Sequence, residues 1–547
     1  MSNFFIELGD SVLSVAPGTP VGQLFSTNPE GPFALGALVN RRLKSLRYPL
    51  SMSARIEPVW ADSSLGHRIY RKTLCFLLEL ARKSTFPDVK LRIGPSLGNA
   101  YLFFSESGPL EKEQVHLLSQ SLRRLVDADL PIIPHRLPYS EALKRFASDA
   151  EASLLIVQKN EAEVRCLECA GAWALEHFPL APSAGLLPIF DLEWTNDGLL
   201  LKFPEKKWPL VLAPTLPNPL LVETAKEYKN LIEILGIPTV PRLNEVAAKP
   251  KDVAHFVQVA ETLQEKKLGK LADRIADRAG ELKLILVAGP SSSGKTTFTK
   301  KLAVHLQAVG FKPRLLGLDD YFLDRDKTPK DADGNFDFET LNALDVPLLN
   351  QHLFDLLEGR TVETPSYDFK TGTRKPKGTP LTLGSHDILL IEGIHGLNDQ
   401  LTPRVPRHKK FKIYVSPLTA LVIDQNTRIS TTDNRLIRRM VRDFQFRGYS
   451  AVHTLHQWPS VRRGEDKNIF PFQGTADASF NSSLDYELAV LTEIAVPLLR
   501  TVPPSVPEYT EASLLLSFLD NFIPMQDLAV PSFSILREFV GRSGFKY

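Results

Sequence analysis

Residues Leu284–Leu302 read LILVAGPSSSGKTTFTKKL, and the fold must accommodate this stretch before any other. Leu282 to Ala288 is a short apolar run suited to a buried parallel strand, and from Phe298 onward (FTKKLAVHLQAVG) the spacing turns helical. Between them Gly289, Gly294, Lys295 and Thr296 satisfy GxxxxGK(S/T) in the strand–loop–helix context that the motif requires. Such a loop curls backbone N–H groups round phosphate oxygens at a helix N-terminus. Gly289, Ser291, Ser292, Ser293, Gly294, Lys295, Thr296 and Thr297 are therefore expected to cradle the phosphates of a nucleotide, taken as ATP. Lys295 reaches the β- and γ-phosphates, and the Thr296 hydroxyl is a ligand for Mg²⁺.

Downstream, PRLLGLDDYFLDRD reads as a second strand ending in Asp319 and Asp320. A carboxylate at the C-terminal end of a parallel strand faces the crevice where ligands bind, so Asp319 can take the proton of an attacking hydroxyl. On a strand, Asp320 would point to the opposite face. HDILLIEGIHGL gives another buried strand ending in Glu392, placed to hold Mg²⁺ directly or through water. In TTDNRLIRRMVRDFQFRGYS, helical spacing puts Arg435, Arg438, Arg439 and Arg442 within an arc of about 100°. Planar guanidinium donors suit a lid over phosphate. No asparagine is followed by lysine, so the guanine-reading NKxD of switch GTPases is absent. A base and a cationic lid after the loop are what a small-molecule kinase needs. An RNA-associated regulatory ATPase with no small acceptor is the alternative.

The 547 residues are enough for roughly three or four domains. Lys and Arg total 65 against 63 Asp and Glu, a net charge of +2, which predicts no strong nucleic-acid field from the whole molecule. The start MSNFFIELGD lacks a basic opening followed by an apolar run, and no stretch approaches the roughly 18 uncharged apolar residues of a membrane span. A cytoplasmic protein without a membrane partner is expected. Cys75, Cys166 and Cys169 are too few for a disulfide framework. Cys166 and Cys169 form half of a zinc site at best and read as reduced core cysteines.

Residues 3 to 60 alternate polar and apolar residues around Gly9-Asp10, and LGHRIYRKTLCFLLELARK then gives an amphipathic helix with Ile69, Leu74, Leu77, Leu78 and Ala81 on one side. VAHFVQVAETLQEKKLGKLADRIADRAG reads as a long helix closed by Gly280. APGTPVGQLF and ALVNRRL resemble the TGS domain, a β-grasp module at the front of threonyl-tRNA synthetases. The following region resembles the second, editing-type domain of those enzymes. Their HxxxH pair is missing, since His67 is followed four residues later by Arg71, and their later Cys and His correspond only loosely to Cys169 and His177. A scaffold without editing catalysis is expected, with RNA contact by the front domains left open.

GPSSSGKTT, LDDYF, GNFDFET, PSYDFKTGTR, IEGIHGL and RLIRRMVRDFQFRG, in that order, resemble the uridine kinase and phosphoribulokinase superfamily. The whole chain resembles fused uridine-kinase-like proteins of bacteria. The resemblance implies an α/β protein: a TGS-like β-grasp domain at 1–62, an α+β synthetase-like domain at 63–235, a helical linker at 236–280, a P-loop kinase domain with a parallel sheet at 281–525 and a tail at 526–547. It implies Asp319 as general base, Glu339 and Tyr367 in the acceptor pocket, and lid arginines Arg439, Arg442 and Arg447 at the phosphates, Arg439 also reaching the acceptor. Three positions depart from uridine kinases: Gly372 and Tyr449 stand where they have a histidine and an arginine on the nucleoside, and Glu339 where they have aspartate. A nucleoside or another small sugar-like acceptor is therefore expected.

Overall fold

The computed structural model describes residues 3–25, 31–215, 218–330, 334, 336–368 and 371–546. Three residues of the quoted motifs, Asn335, Phe369 and Lys370, lie outside the described residues. The chain forms two compact units, one of Met1–Ala248, Ala420–Ser430 and Val496–Ile523, the other of Lys249–Thr419, Thr431–Ala495 and Pro524–Tyr547.

The second unit is built on a five-stranded, wholly parallel sheet. Leu284–Ala288 is central, flanked by Asp387–Glu392 and Lys410–Ser416, with Lys312–Gly317 and Ala478–Asn481 at the edges. The three inner strands are buried along nearly their whole length, which is why their sequences run apolar rather than alternating. Lys410 and Lys412 are buried exceptions whose ammonium groups are satisfied: Lys410 donates to the Thr402 carbonyl at 2.6 Å, and Lys412 to the Leu397 carbonyl at 2.9 Å and Asp399 Oδ1 at 2.7 Å. The register pairs Val287 and Gly317 with Glu392. The phosphate loop, Glu392 and the turn after Gly317 therefore leave the sheet at the same, C-terminal end of its strands.

That turn corrects the strand reading of the two aspartates. The strand stops at Gly317 and Leu318–Tyr321 is a 3₁₀ turn, so strand alternation does not set the two carboxylates apart. Asp320 is held instead by the Tyr367 N–H, which donates to its Oδ1 at 3.1 Å. The long helix also ends earlier than Gly280: it spans Pro250–Ala276, and its end is closed by the Asp277 N–H on the Asp273 carbonyl at 2.9 Å.

In the first unit, Phe4–Leu8 pairs antiparallel with Ser11–Val15 and parallel with Ala54–Trp60 in a five-stranded mixed sheet completed by Ala34–Val39 and Arg42–Lys44. Ile6, Val21, Ala37 and Ile56 fill its core. The helix Ser64–Thr85 follows, its N-terminus capped by Ser63 Oγ accepting from the Gly66 N–H at 3.0 Å. It is buried on more than the expected side, because Phe76, Glu79, Leu80 and Arg82 are also covered. The Arg82–Glu79 pair at 2.7 Å satisfies the charges there. This helix packs with Lys112–Asp127 and shares a core with the four-stranded antiparallel sheet of Leu91–Ser96, Ala100–Ser105, Asp191–Thr195 and Gly198–Lys202. Among the described residues no helix is long and apolar enough to cross a membrane.

The parallel sheet sets a stability contrast. Leu390 is fully buried and Leu315 is 48% exposed on the edge strand. Leu390→Ala should cost about 2–5 kcal/mol in urea unfolding of the full chain, and Leu315→Ala no more than about 0.5 kcal/mol.

Candidate functional site

The loop between Ala288 and Lys295 is shaped by close approaches that only small residues permit. A Cβ on Gly289 would fall 2.0 Å from the Val415 carbonyl oxygen. Gly294 has φ +80°, and a Cβ there would sit 2.6 Å from a methyl of Ile535. The helix Lys295–Ala308 starts directly after it. Lys295 Nζ rests on the Pro290 carbonyl at 3.2 Å, folded back along the loop that it serves. Ser292 and Ser293 are buried within the loop, while Ser291 meets the later part of the chain. Its N–H donates to Glu465 Oε1 at 2.9 Å and its Oγ accepts from Arg439 Nη1 at 2.9 Å.

Around Lys295 the structure gathers the residues singled out from sequence. Thr296 Oγ1 donates to Glu392 Oε2 at 3.2 Å, a pair of hard oxygen donors fit for Mg²⁺. Burial pushes the Glu392 carboxyl up to about 7, with Asp319 and Glu538 adding to the rise and Lys295 opposing it. Glu339 also rises to about 7, chiefly through burial and then the neighbouring Glu465, against Arg439 and Lys295. Asp319 is raised by desolvation first, opposed by Lys295 and assisted by Asp320. Its side chain still reaches solvent, which moderates that rise. Asp319, Glu339, Glu392 and Lys295 thus form one electrostatically coupled group, with Arg442 and Arg447 also acting on Asp319. The Tyr367 N–H donates to Asp320 beside this group, and its ring packs 5.7 Å from that of Phe322.

The arginine arc divides in two. The helix Thr431–Arg447 forms as expected, but Arg435 and Arg438 are fully buried in ion pairs with Glu465 and Glu487. Arg435 also donates to the Ser291 carbonyl at 3.1 Å, and Arg438 to the Ser482 carbonyl at 2.8 Å. Charges so paired and enclosed hold the loop in place and are not free to swing as a lid. Arg439, Arg442 and Arg447 remain on the accessible side. Asp443 takes Arg439 at 3.4 Å and Arg447 at 3.0 Å.

Arg442 leads to a residue that no sequence signal marked. Glu538, in the short helix Arg537–Val540, lies 3.6 Å from Arg442, and its Oε2 accepts from the Thr297 N–H at 3.1 Å and from Thr297 Oγ1 at 2.7 Å. A carboxylate therefore caps the N-terminus of the phosphate-loop helix, where an anion is favoured. Glu538 is separated from Thr297 by 241 residues, and Glu465 from Arg435 by 30. Local pattern cannot reveal either partner.

The front-half candidates do not assemble into a metal centre. Among the described residues no group of three or more His, Cys, Asp or Glu could hold a metal ion. His67 is buried, bonded to the Pro204 carbonyl at 2.7 Å and lowered to about 4 by burial and by Arg71. His177 lies 3.0 Å from Asp424. All three cysteines are free and buried, with burial pushing Cys166 up to about 12 and Cys169 to about 11.

Two outcomes follow from these electrostatics. Glu538→Ala removes a helix cap and an anion from a phosphate cradle, so the melting temperature should fall while ATP affinity, measured calorimetrically, rises by about tenfold. Unchanged affinity would mean that Glu538 does not compete with phosphate. Second, Glu339 and Glu392 keep protons when folded that the unfolded chain releases near 4.5. That stabilisation is complete below about 4.5 and lost above about 7. Thermal stability of the nucleotide-free chain should therefore decline from about pH 5 to pH 8, and Glu392→Gln should flatten the decline.

Residues 284–489 match the model of the phosphoribulokinase / uridine kinase family. A uridine kinase of Macrococcus caseolyticus is 32% identical over 181 residues, 33% of this chain and 78% of that protein. An inorganic pyrophosphatase, TTM2, of Arabidopsis thaliana is 33% identical over 177 residues, 32% of this chain and 22% of that protein. Among solved structures, D-glycerate 3-kinase from Cryptococcus neoformans is similar with a TM-score of 0.22 and 16% identity, over 48% of this chain and 89% of that one. The stretch matched by the family model carries the loop, Asp319, Glu339, Glu392 and the arginine helix, and through it the chain belongs to the phosphoribulokinase / uridine kinase family.

Proposed function

We propose that the second unit transfers the γ-phosphate of ATP to a hydroxyl of a nucleoside or a related sugar-containing acceptor. The observation that supports this reading is the convergence of the loop with Lys295, the Thr296–Glu392 contact and the turn carrying Asp319 at the C-terminal ends of adjacent parallel strands, with Glu339 in the same electrostatic group. Loop N–H groups and Lys295 bind the phosphates, and Arg439, Arg442 and Arg447 cover them. Thr296 and Glu392 would hold Mg²⁺, which when bound neutralises phosphate charge. Asp319 accepts the proton of the attacking hydroxyl, its raised pKa bringing it nearer the working range of a base. Glu339 and Tyr367 line the acceptor side. In-line transfer asks mainly for positioning and charge neutralisation, and these residues supply both.

For the front half we propose a TGS-like β-grasp module followed by an editing-like domain that serves as a scaffold. The parallel pairing of Phe4–Leu8 with Ala54–Trp60 and the helix Ser64–Thr85 support that reading. The buried, carbonyl-bound His67 argues against editing catalysis. We also assign the protein to the cytoplasm.

Asp319→Asn keeps the shape of the side chain and removes the base. It should bind ATP and Mg²⁺ nearly as before while transfer to acceptor falls by about 10² to 10⁴. Normal transfer in that variant, measured as phosphorylated acceptor under saturating ATP, would remove Asp319 from the mechanism. Lys295→Ala should lose nucleotide turnover altogether.

A further inference from the structure

The first unit holds a cavity of about 380 Å³, within the range of small-ligand sites, and its charge is strongly one-sided. Arg42 and Lys44 line it from one strand, Arg165 from another and Arg500 from the late stretch of the chain. The one acid on the lining, Asp520, already pairs with Lys159 at 2.8 Å. Among the described residues none of the four cations forms an ion pair. Their partners are neutral: Arg42 donates to the Tyr509 hydroxyl at 2.6 Å, and Arg165 to Ser517 Oγ at 3.5 Å. Burial and the repulsion of Arg136, Arg165 and Arg42 depress the Lys44 ammonium, with Glu176 as a partial counterweight.

Four cations thus face one cavity, with Glu176 as the nearby carboxylate acting on Lys44 and Arg165, an excess of positive charge that an anionic ligand would offset. The hairpin that presents Arg42 turns through Asn40 and Arg41, both at positive φ, 49° and 62°, as a two-residue hairpin turn between antiparallel strands requires. The turn is held by the Asn40 N–H on the Arg55 carbonyl and by Thr510 Oγ1 on the Arg41 carbonyl, each at 2.9 Å. Leu43, Leu514 and Leu516 add apolar lining beside the cations.

We propose that this cavity is a binding site for a nucleotide, its phosphate held by Arg42, Lys44, Arg165 and Arg500 and its ring against the leucines. The site is separate from the phosphate loop and independent of the kinase reading. Guanidinium pairs bind phosphate bidentately, and the ammonium adds a point charge.

The test uses the full chain with AMP, GMP, UMP and a 12-nucleotide RNA as probes, by calorimetry and hydrogen exchange. At least one mononucleotide should bind saturably and protect residues 42–44 and 509–517. Arg42→Ala and Arg500→Gln should each weaken that binding by about tenfold while leaving ATP binding at the phosphate loop unchanged. Should Arg42→Ala fail to fold, Arg500→Gln and the wild-type exchange map decide. Protection confined to residues 289–297, no loss in Arg500→Gln, or binding of the RNA with no mononucleotide would each overturn the proposal.

Discussion

The N-terminus of the Lys295–Ala308 helix carries N–H groups with no acceptor inside the helix and the positive end of a helix dipole, and this region of the chain is arranged around that need for an anion. The central strand delivers the loop, and the lysine and threonine follow at once. Glu538 answers part of that need through Thr297. A phosphate and a carboxylate compete for the same chemistry, so the C-terminal segment belongs to the energetics of nucleotide binding. Glu392 and Asp319 sit in the field that Lys295 creates, and burial and their mutual repulsion raise both carboxyls, less so for Asp319, which still reaches solvent.

Two kinds of arginine serve this arrangement. Arg435 and Arg438 are spent on buried pairs with Glu465 and Glu487, and through the Ser291 and Ser482 carbonyls they fix the frame of the loop. Breaking such a pair strands a buried charge, which makes these positions rigid. Arg439, Arg442 and Arg447 hold longer or more exposed ion pairs than these two, and in the proposed reading they are the ones left to cover phosphate.

The sequence made the loop, the Glu392 strand and the arginine helix legible because each is a local pattern: an apolar run, a glycine spacing, a helical period. Partnership across distance was not legible. A helical arc shows that Arg435 and Arg438 share a side with Arg439 and Arg442, but it cannot show that carboxylates elsewhere in the chain bury the first two. The pattern puts Asp319 at a strand end because the apolar run gives no sign that Gly317 closes the strand, and a 3₁₀ turn has no strong residue signature. The first unit recovers Ala420–Ser430 and Val496–Ile523 from beyond the loop. Pattern identifies such elements but not the core that they complete.

The central claim is that the phosphate loop serves a hydroxyl acceptor. Its most direct test measures ADP release by the purified full chain with ATP and Mg²⁺, alone and with nucleosides and sugar phosphates added singly. ADP should appear at a substantial rate only with an acceptor present and in equal amount with phosphorylated product. ADP and inorganic phosphate released equally fast with no acceptor, or accelerated by RNA alone, would contradict the account.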